Sequence, residues 1–427
     1  MTENYIIGNG IITDGFSFLL EDGAIEVENG RIKQIGKTDE LKSENVEFFD
    51  LQNRLVLPGL LNPHHHLYSA LATGISPIGE TDNFTKVLKN LWWHLDQNLD
   101  EESIYYSALY GLINSVKYGV TTIFDHHASM NYISGSLQLI EKAFKEIGVK
   151  GLLCYEISDR IGEKAVPQQL DENIRFWESH KGNPNIWGLL GLHANFTLSE
   201  ETLALIKQRK PADLSIHIHC GEDKADMQYC TDNGYKGPVH RLHEYGLLSP
   251  NSLLAHCIHL SPKDYDIIRK IQPVIISNPE SNANNNVGEM DLSKIEKYCL
   301  GTDGMTGNIL GTMRSHFLRQ NGKISQPLDI LFQYPGNILK RFFPDSGALE
   351  VGKTADLAVT DYIPVTGINL DNLFYHLIFG VEGQKMYMTI SDGKILYKDG
   401  KIQTIDEEEI IAKVKQAAQK LHKKYYE

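Results

Sequence analysis

From Leu55 to Gly301 the chain alternates short, almost wholly apolar runs with longer stretches of helical period. The runs of strand length are Leu55–Leu61, Val120–Phe124, Gly151–Tyr155, Ile186–Leu192, Leu214–His219, Ser252–His256, Val274–Ser277 and Tyr298–Gly301. Strands that are apolar throughout are buried on both faces, which is the pattern of a parallel sheet covered by helices. Helix signals punctuate the segments between them. Asp100, Ser199 and Ser261 are N-cap candidates, and Gly119, Gly148 and Gly246 are stops. The pattern predicts a closed (β/α)₈ barrel, with an open doubly wound sheet as the competing architecture.

Both chain ends read differently. Ala24–Val27 and Arg31–Ile35 flank Asn29-Gly30, a two-residue hairpin turn. Ala355–Asp361, Met386–Ser391 and Lys394–Lys398 repeat the pattern, with Asp392-Gly393 joining the last two. The expectation is a distorted barrel over residues 58–349, carrying a small β-sandwich domain built from residues 1–57 and 350–405. Residues 406–427 hold an amphipathic helix, Glu407–Lys424, expected to pack on the barrel through Ile411, Val414, Ala418 and Leu421.

The polar residues decide for the barrel, because they fall where the predicted strands end. Strand one runs into His64-His65-His66, strand five into His217-Ile218-His219-Cys220-Gly221-Glu222, strand six into His256, and strand eight into Gly301-Thr302-Asp303-Gly304. Residues two apart on an extended chain share a face, so His64 and His66 can grip one ion together. In a barrel the C-terminal strand ends converge on one mouth, where active sites are built. Imidazoles and a carboxylate gathered there suit zinc, and also iron or manganese. A lone histidine at a strand end is more often a structural residue. The ordered set of His-x-His, His-x-x-Glu, His and Gly-Thr-Asp-Gly is what points to a metal.

Charge and cysteines narrow the partners. A formal net charge of −14 with no basic arm repels phosphate backbones, which argues against nucleic acid. No apolar run has the length of a membrane span, and MTENYIIGNG has neither the basic start nor the apolar stretch of a signal peptide. The five cysteines are scattered, as expected of reduced thiols in a cytoplasmic protein.

These motifs resemble the amidohydrolase superfamily, in its branch of mononuclear aminohydrolases and chlorohydrolases. Leu57-Pro58-Gly59-Leu60-Leu61-Asn62 before His64-x-His66 is similar to that family's opening motif, and Gly352-Lys353-Thr354-Ala355-Asp356-Leu357 to its late segment. Lys89-Asn90-Leu91-Trp92-Trp93, Asp125-His126-His127-Ala128-Ser129 and the Asn-rich Ser281–Asn286 match within the branch. The resemblance implies His64, His66, His219 and Asp303 as metal ligands, with His219 preferred to His217 because it opens His-x-x-Glu. It implies Glu222 as proton shuttle, His256 as the residue that orients water and steadies the oxyanion, and Asp303 as a proton acceptor. His193 and His127 are the expected substrate contacts, together with Asn282 in the loop after strand seven. One divalent ion is expected, zinc before iron(II) or manganese(II), since strand four offers no lysine to bridge a second.

Ser277-Asn278-Pro279 stands where relatives often carry His-Asn-Pro. An aromatic lid is not evident near Thr81–Leu88, and Trp92-Trp93 reads as core or subunit interface. The implied activity is hydrolytic deamination of a purine-, pyrimidine- or pterin-like ring. Opening of a cyclic amide or amidine, or dehalogenation, would use the same site, and a non-catalytic binding protein is the remote rival. A homodimer or higher homo-oligomer is the default for such an enzyme.

Overall fold

A computed structural model describes residues 4–427. The first strands are β1 (Tyr5–Thr13), β2 (Leu19–Glu28), β3 (Arg31–Lys37), β4 (Glu47–Asp50) and β5 (Leu55–Pro58). The barrel strands are β6 (Leu60–His65), β7 (Val120–His127), β8 (Lys150–Ile157), β9 (Ile186–Gly188), β10 (Leu190–Leu192), β11 (Ile216–Cys220), β12 (Leu253–His256), β13 (Val274–Ser277) and β14 (Cys299–Leu300). The chain returns through β15 (Leu357–Thr360), β16 (Met386–Ser391), β17 (Lys394–Lys398) and β18 (Lys401–Ile402). The barrel order is β6-β7-β8-β10-β11-β12-β13-β14, every pairing is parallel, and β9 pairs with β8.

Closure runs through the polar strand ends: His65 bridges Asp303, and the Thr302 and Asp303 amides donate to the His64 carbonyl at 3.1 and 3.0 Å. The barrel is therefore tied shut at His64 and Asp303, two of the expected ligand residues.

The terminal sheet runs β18-β17-β16-β15-β5-β1-β2-β3, with β4 on β1. It buries its own apolar cluster, including Ile7, Val56, Leu357 and Met388. Both expected hairpins form, with positive φ at Asn29, Gly30, Asp392 and Gly393, as a type I′ turn requires.

The apolar run Leu55–Leu61, expected as one barrel strand, splits between the sheets. Its first half pairs with β1 and β15, and its second half opens the barrel beside β7. Gly59 marks the change, and a Cβ there would lie 2.3 Å from Thr121 Oγ1. Lys150, at the start of β8, ties the two parts together. It is buried between Asp356 at 2.7 Å and Asp392 at 2.8 Å.

The helix Glu407–Tyr426 packs through Val414, Ala417, Leu421 and Tyr425, with Ile411 and Ala418 only partly buried. It braces the segment after β6. His422 Nε2 donates to Leu71 O at 2.7 Å, His94 Nε2 to Tyr425 O at 2.7 Å, and Tyr425 Oη to Asn90 O at 3.0 Å.

Candidate metal centre and active site

The parallel register sets the histidines side by side. His219 pairs with Ala255 and Cys220 with His256, so one turn of the barrel carries both imidazoles to the mouth. His256 and Asp303 leave their strands with φ of 72° and 54°. Left-handed backbone at a non-glycine residue costs about 1–3 kcal/mol and persists where surrounding structure enforces it.

Ligand atoms of His64, His66, His219 and Asp303 lie within 4.8 Å of one another, all buried. Their outer hydrogen bonds fix the tautomers. His66 Nδ1 donates to His126 O at 2.6 Å and His219 Nδ1 to His193 O at 2.9 Å, so both Nε2 atoms present lone pairs. Those two nitrogens face each other at 3.1 Å, and His66 Nε2 lies 2.9 Å from Asp303 Oδ1. His64 Nε2 is buried, has no hydrogen-bond partner, and lies 3.6 Å from the same oxygen.

Lone pairs converging on a carboxylate repel unless a cation lies among them. Three imidazole nitrogens and one oxygen make a donor set that fits zinc, iron(II) or manganese(II). Two adjoining groups, His126–Glu156–His219 and Glu222–His256–Asp303, each share one residue with these four.

Burial would raise the Asp303 carboxyl, but the His64 and His66 imidazoles hold it well below the usual carboxylate range. Glu222 moves the other way. Burial, and then repulsion from Asp303, push it well above that range. Two neighbouring carboxyl groups with opposite shifts divide into an ionised group and a proton carrier. His256 Nδ1 donates to Asn282 Oδ1 at 2.8 Å, which leaves Nε2 as an acceptor, 3.6 Å from Glu222 Oε2 and 3.8 Å from Asp303 Oδ2. Burial keeps this imidazole neutral by lowering its pKa.

A cavity of about 610 Å³, including its open mouth, lies over these groups. His66, His193, His219, Glu222 and Asp303 line it together with the apolar Phe84, Leu88, Trp92, Trp93 and Met305. The tryptophans, expected in the core or at an interface, form the cavity wall. Trp93 meets the His193 ring edge-on at 5.9 Å. Phe84, Leu88, Ile258 and Val287 form a small apolar cluster of their own, and Phe84 and Leu88 bring it to the cavity lining near Thr81–Leu88, where no aromatic lid was expected.

Of the expected substrate contacts, His193 lines the cavity. His127 and Asn282 are fully buried and do not line it. His127 Nε2 bonds to Ser129 Oγ at 2.8 Å, and Asn282 holds His256. Period-two alternation turned His127 away from the mouth, and the helical turn Pro279–Asn284 turned Asn282 towards the barrel wall.

Sequence reasoning missed an acidic wall. Arg160, itself partly buried, bridges Asp96 at 2.8 Å and Glu156 at 2.6 Å, and both acids are buried and line the cavity. Burial pushes Asp96 up to about 7, against the pull of Arg160. The spacing Glu156-x-x-x-Arg160 was the only local sign of this bridge.

Comparison with known proteins bears on this geometry. A protein of Thermococcus sibiricus named 5-methylthioadenosine/S-adenosylhomocysteine deaminase is 28% identical over 92% of this chain and 93% of its own. A 5'-deoxyadenosine deaminase of Methanobrevibacter smithii is 28% identical over 99% of both chains. Among solved structures, an adenosine deaminase of Xanthomonas campestris with bound zinc superposes with a TM-score of 0.81, at 18% identity and 99% coverage of both chains. A triazine hydrolase of Arthrobacter aurescens does so at 0.84, with 20% identity over 97% of this chain and 99% of its own. The sequence profile of the amidohydrolase family matches residues 55–396, which takes in the whole barrel and every residue of the ligand cluster, and this chain therefore belongs to the amidohydrolase family.

Proposed function

We propose that this chain is a metal-dependent aminohydrolase that removes an exocyclic amino group from a purine-, pyrimidine- or pterin-like ring as ammonia. The observation that carries the reading is the placement of Glu222 and His256 against the ligand cluster, with Glu222 lining an aromatic-walled cavity and His256 buried behind it. The deaminase names of the relatives from Thermococcus sibiricus and Methanobrevibacter smithii support it.

His64, His66, His219 and Asp303 are the residues that would hold the ion, zinc by preference. When bound, the cation supplies Lewis acidity and water activated at neutral pH. His256 Nε2 accepts a hydrogen bond from the attacking water and orients it. The orienting role uses the Nε2 lone pair in the resting enzyme, since Nδ1 donates to Asn282 Oδ1. Asp303 Oδ2 takes a proton from the water as it attacks. Glu222 first protonates a ring nitrogen, making the attacked carbon more electrophilic. Its carboxylate then takes up the hydroxyl proton of the tetrahedral adduct and passes it to the departing amino group, and the proton held by Asp303 restores Glu222 as ammonia leaves. Each positioned transfer is worth about 10²–10⁴-fold. His193 and Trp93 hold the ring, and the acidic wall of Asp96 and Glu156 faces its far side.

Residues 1–57 with 350–405 are read as a small domain serving a catalytic barrel of residues 58–349, with 406–427 as a packing helix. No helix among the described residues is long and apolar enough to cross a membrane. All five cysteines are buried and unpaired, which supports a reducing, cytoplasmic setting for a homodimer or larger homo-oligomer.

The test is a panel of amino-substituted heterocycles given to the metal-loaded protein, with ammonia and product mass as readouts. Exchange of an amino group for oxygen, lost in His219→Ala, supports the deaminase. A product heavier by a whole water moves the reaction to ring opening at the same residues. Tight metal binding with neither product sinks the proposal for that panel of rings.

A further inference from the structure

The short helix Pro279–Asn284 after β13 and its C-cap Asn285 send side chains to three different groups of the site. Ser281 Oγ donates to Asp303 Oδ2 at 2.5 Å, and Asn282 holds His256 Nδ1 at 2.8 Å. Asn285 Nδ2 donates to Glu222 Oε1 at 3.3 Å and reaches Ser281 Oγ at 3.5 Å. Glu222 and Asp303 are thus the two ends of one hydrogen-bonded run that passes through Asn285 and Ser281.

The run has a direction. An amide NH₂ carries two hydrogens and no lone pair, so Asn285 Nδ2 donates both ways, and the single Ser281 hydroxyl hydrogen goes on to Asp303. Asn284 Nδ2 donates to Asn285 Oδ1 at 3.1 Å, which fixes the amide with its NH₂ towards Glu222. Glu222 Oε1 is therefore an acceptor. A proton on Glu222 sits on Oε2, the oxygen that looks across to His256 Nε2 at 3.6 Å.

We propose that Asn285 is a positioning residue for Glu222, whose amide holds Oε1 as acceptor and so presents the transferable proton at Oε2. The proposal rests on the reading of Glu222 as proton shuttle. It also explains the Asn-rich run in physical terms: Asn282, Asn284 and Asn285 each orient a neighbour, so the run is a frame for the proton-handling groups. Without the amide, the proton divides between the two oxygens, and the carboxyl must rotate before each transfer.

The test uses Asn285→Leu, which keeps volume and removes the donor, and Asn285→Gln, which restores an amide. In the metal-loaded protein, Asn285→Leu is expected to lower kcat about 10–100-fold, part of the advantage of a positioned proton, with KM within about twofold and metal content unchanged. Asn285→Gln is expected to recover part of kcat. An infrared readout needs no substrate. The carboxyl C=O stretch lost in Glu222→Gln should move to higher frequency in Asn285→Leu, because its oxygen no longer accepts a hydrogen bond.

Unchanged kcat with an unmoved band overturns the proposal. A raised KM at unchanged kcat also overturns it and makes Asn285 a substrate contact. If the wild-type protein releases no ammonia from any ring amine, the deaminase reading fails, while the infrared comparison still decides the role of Asn285.

Discussion

Replacing Glu222 by glutamine separates proton handling from metal binding within one site. The Glu222 carboxylate is not among the four ligand atoms, and its polar neighbours are Asn285 Nδ2 at 3.3 Å and His256 Nε2 at 3.6 Å. Glutamine keeps the shape of the side chain, which is only 12% exposed, and removes a proton that burial and Asp303 hold on it. The expected result is full metal occupancy with kcat lowered about 10²–10⁴-fold, a barrier increase of about 3–5 kcal/mol. KM should change little, because the walls that hold the ring are untouched. Ammonia release under saturating substrate, with metal measured on the same sample, gives both quantities. Full turnover with the ion in place would refute the shuttle and, with it, the division of labour between Glu222 and Asp303.

Other outcomes follow from the same geometry. Chelation should lower the melting temperature, since the converging lone pairs of His64, His66 and His219 lose their cation; an ion present at about a hundred times its dissociation constant contributes about 2.7 kcal/mol. A melting curve indifferent to chelator and to added zinc would contradict the ligand cluster. Asn282→Ala should cost about 1–3 kcal/mol by leaving His256 Nδ1 unpaired, and lower kcat while the metal is retained. Denaturant titration and metal analysis check both halves, and unchanged kcat would mean that His256 is held by other contacts. Trp93→Ala should raise KM more than it lowers kcat, because the ring wall binds substrate before and during the reaction alike. Lys150→Ala leaves Asp356 and Asp392 facing each other without their cation and should cost about 3–5 kcal/mol in urea unfolding. The folded fraction should keep its kcat, because Lys150 starts β8 at the end of the barrel away from the mouth.

The sequence by itself determined the order of strands and helices and the three strand ends that carry the candidate ligands. Both were legible because they are local: an apolar run with caps on either side is written in neighbouring residues, and each candidate ligand lies at or just beyond the end of an apolar run. The hairpins at Asn29-Gly30 and Asp392-Gly393 were legible for the same reason, since the turn needs residues that accept positive φ. Only the tertiary structure decided which sheet each half of Leu55–Leu61 joins, because apolar character is equally satisfied in either. It also decided that Trp92 and Trp93 wall the cavity while His127 turns away from it. Arg160 finds Asp96 across 64 positions, and Ser281 finds Asp303 across 22, because segments that follow different strands meet at the barrel mouth, rather than through any spacing a sequence can show. A contact between segments that follow different strands depends on the register of those strands and on the path of each segment, and no single stretch of sequence records it.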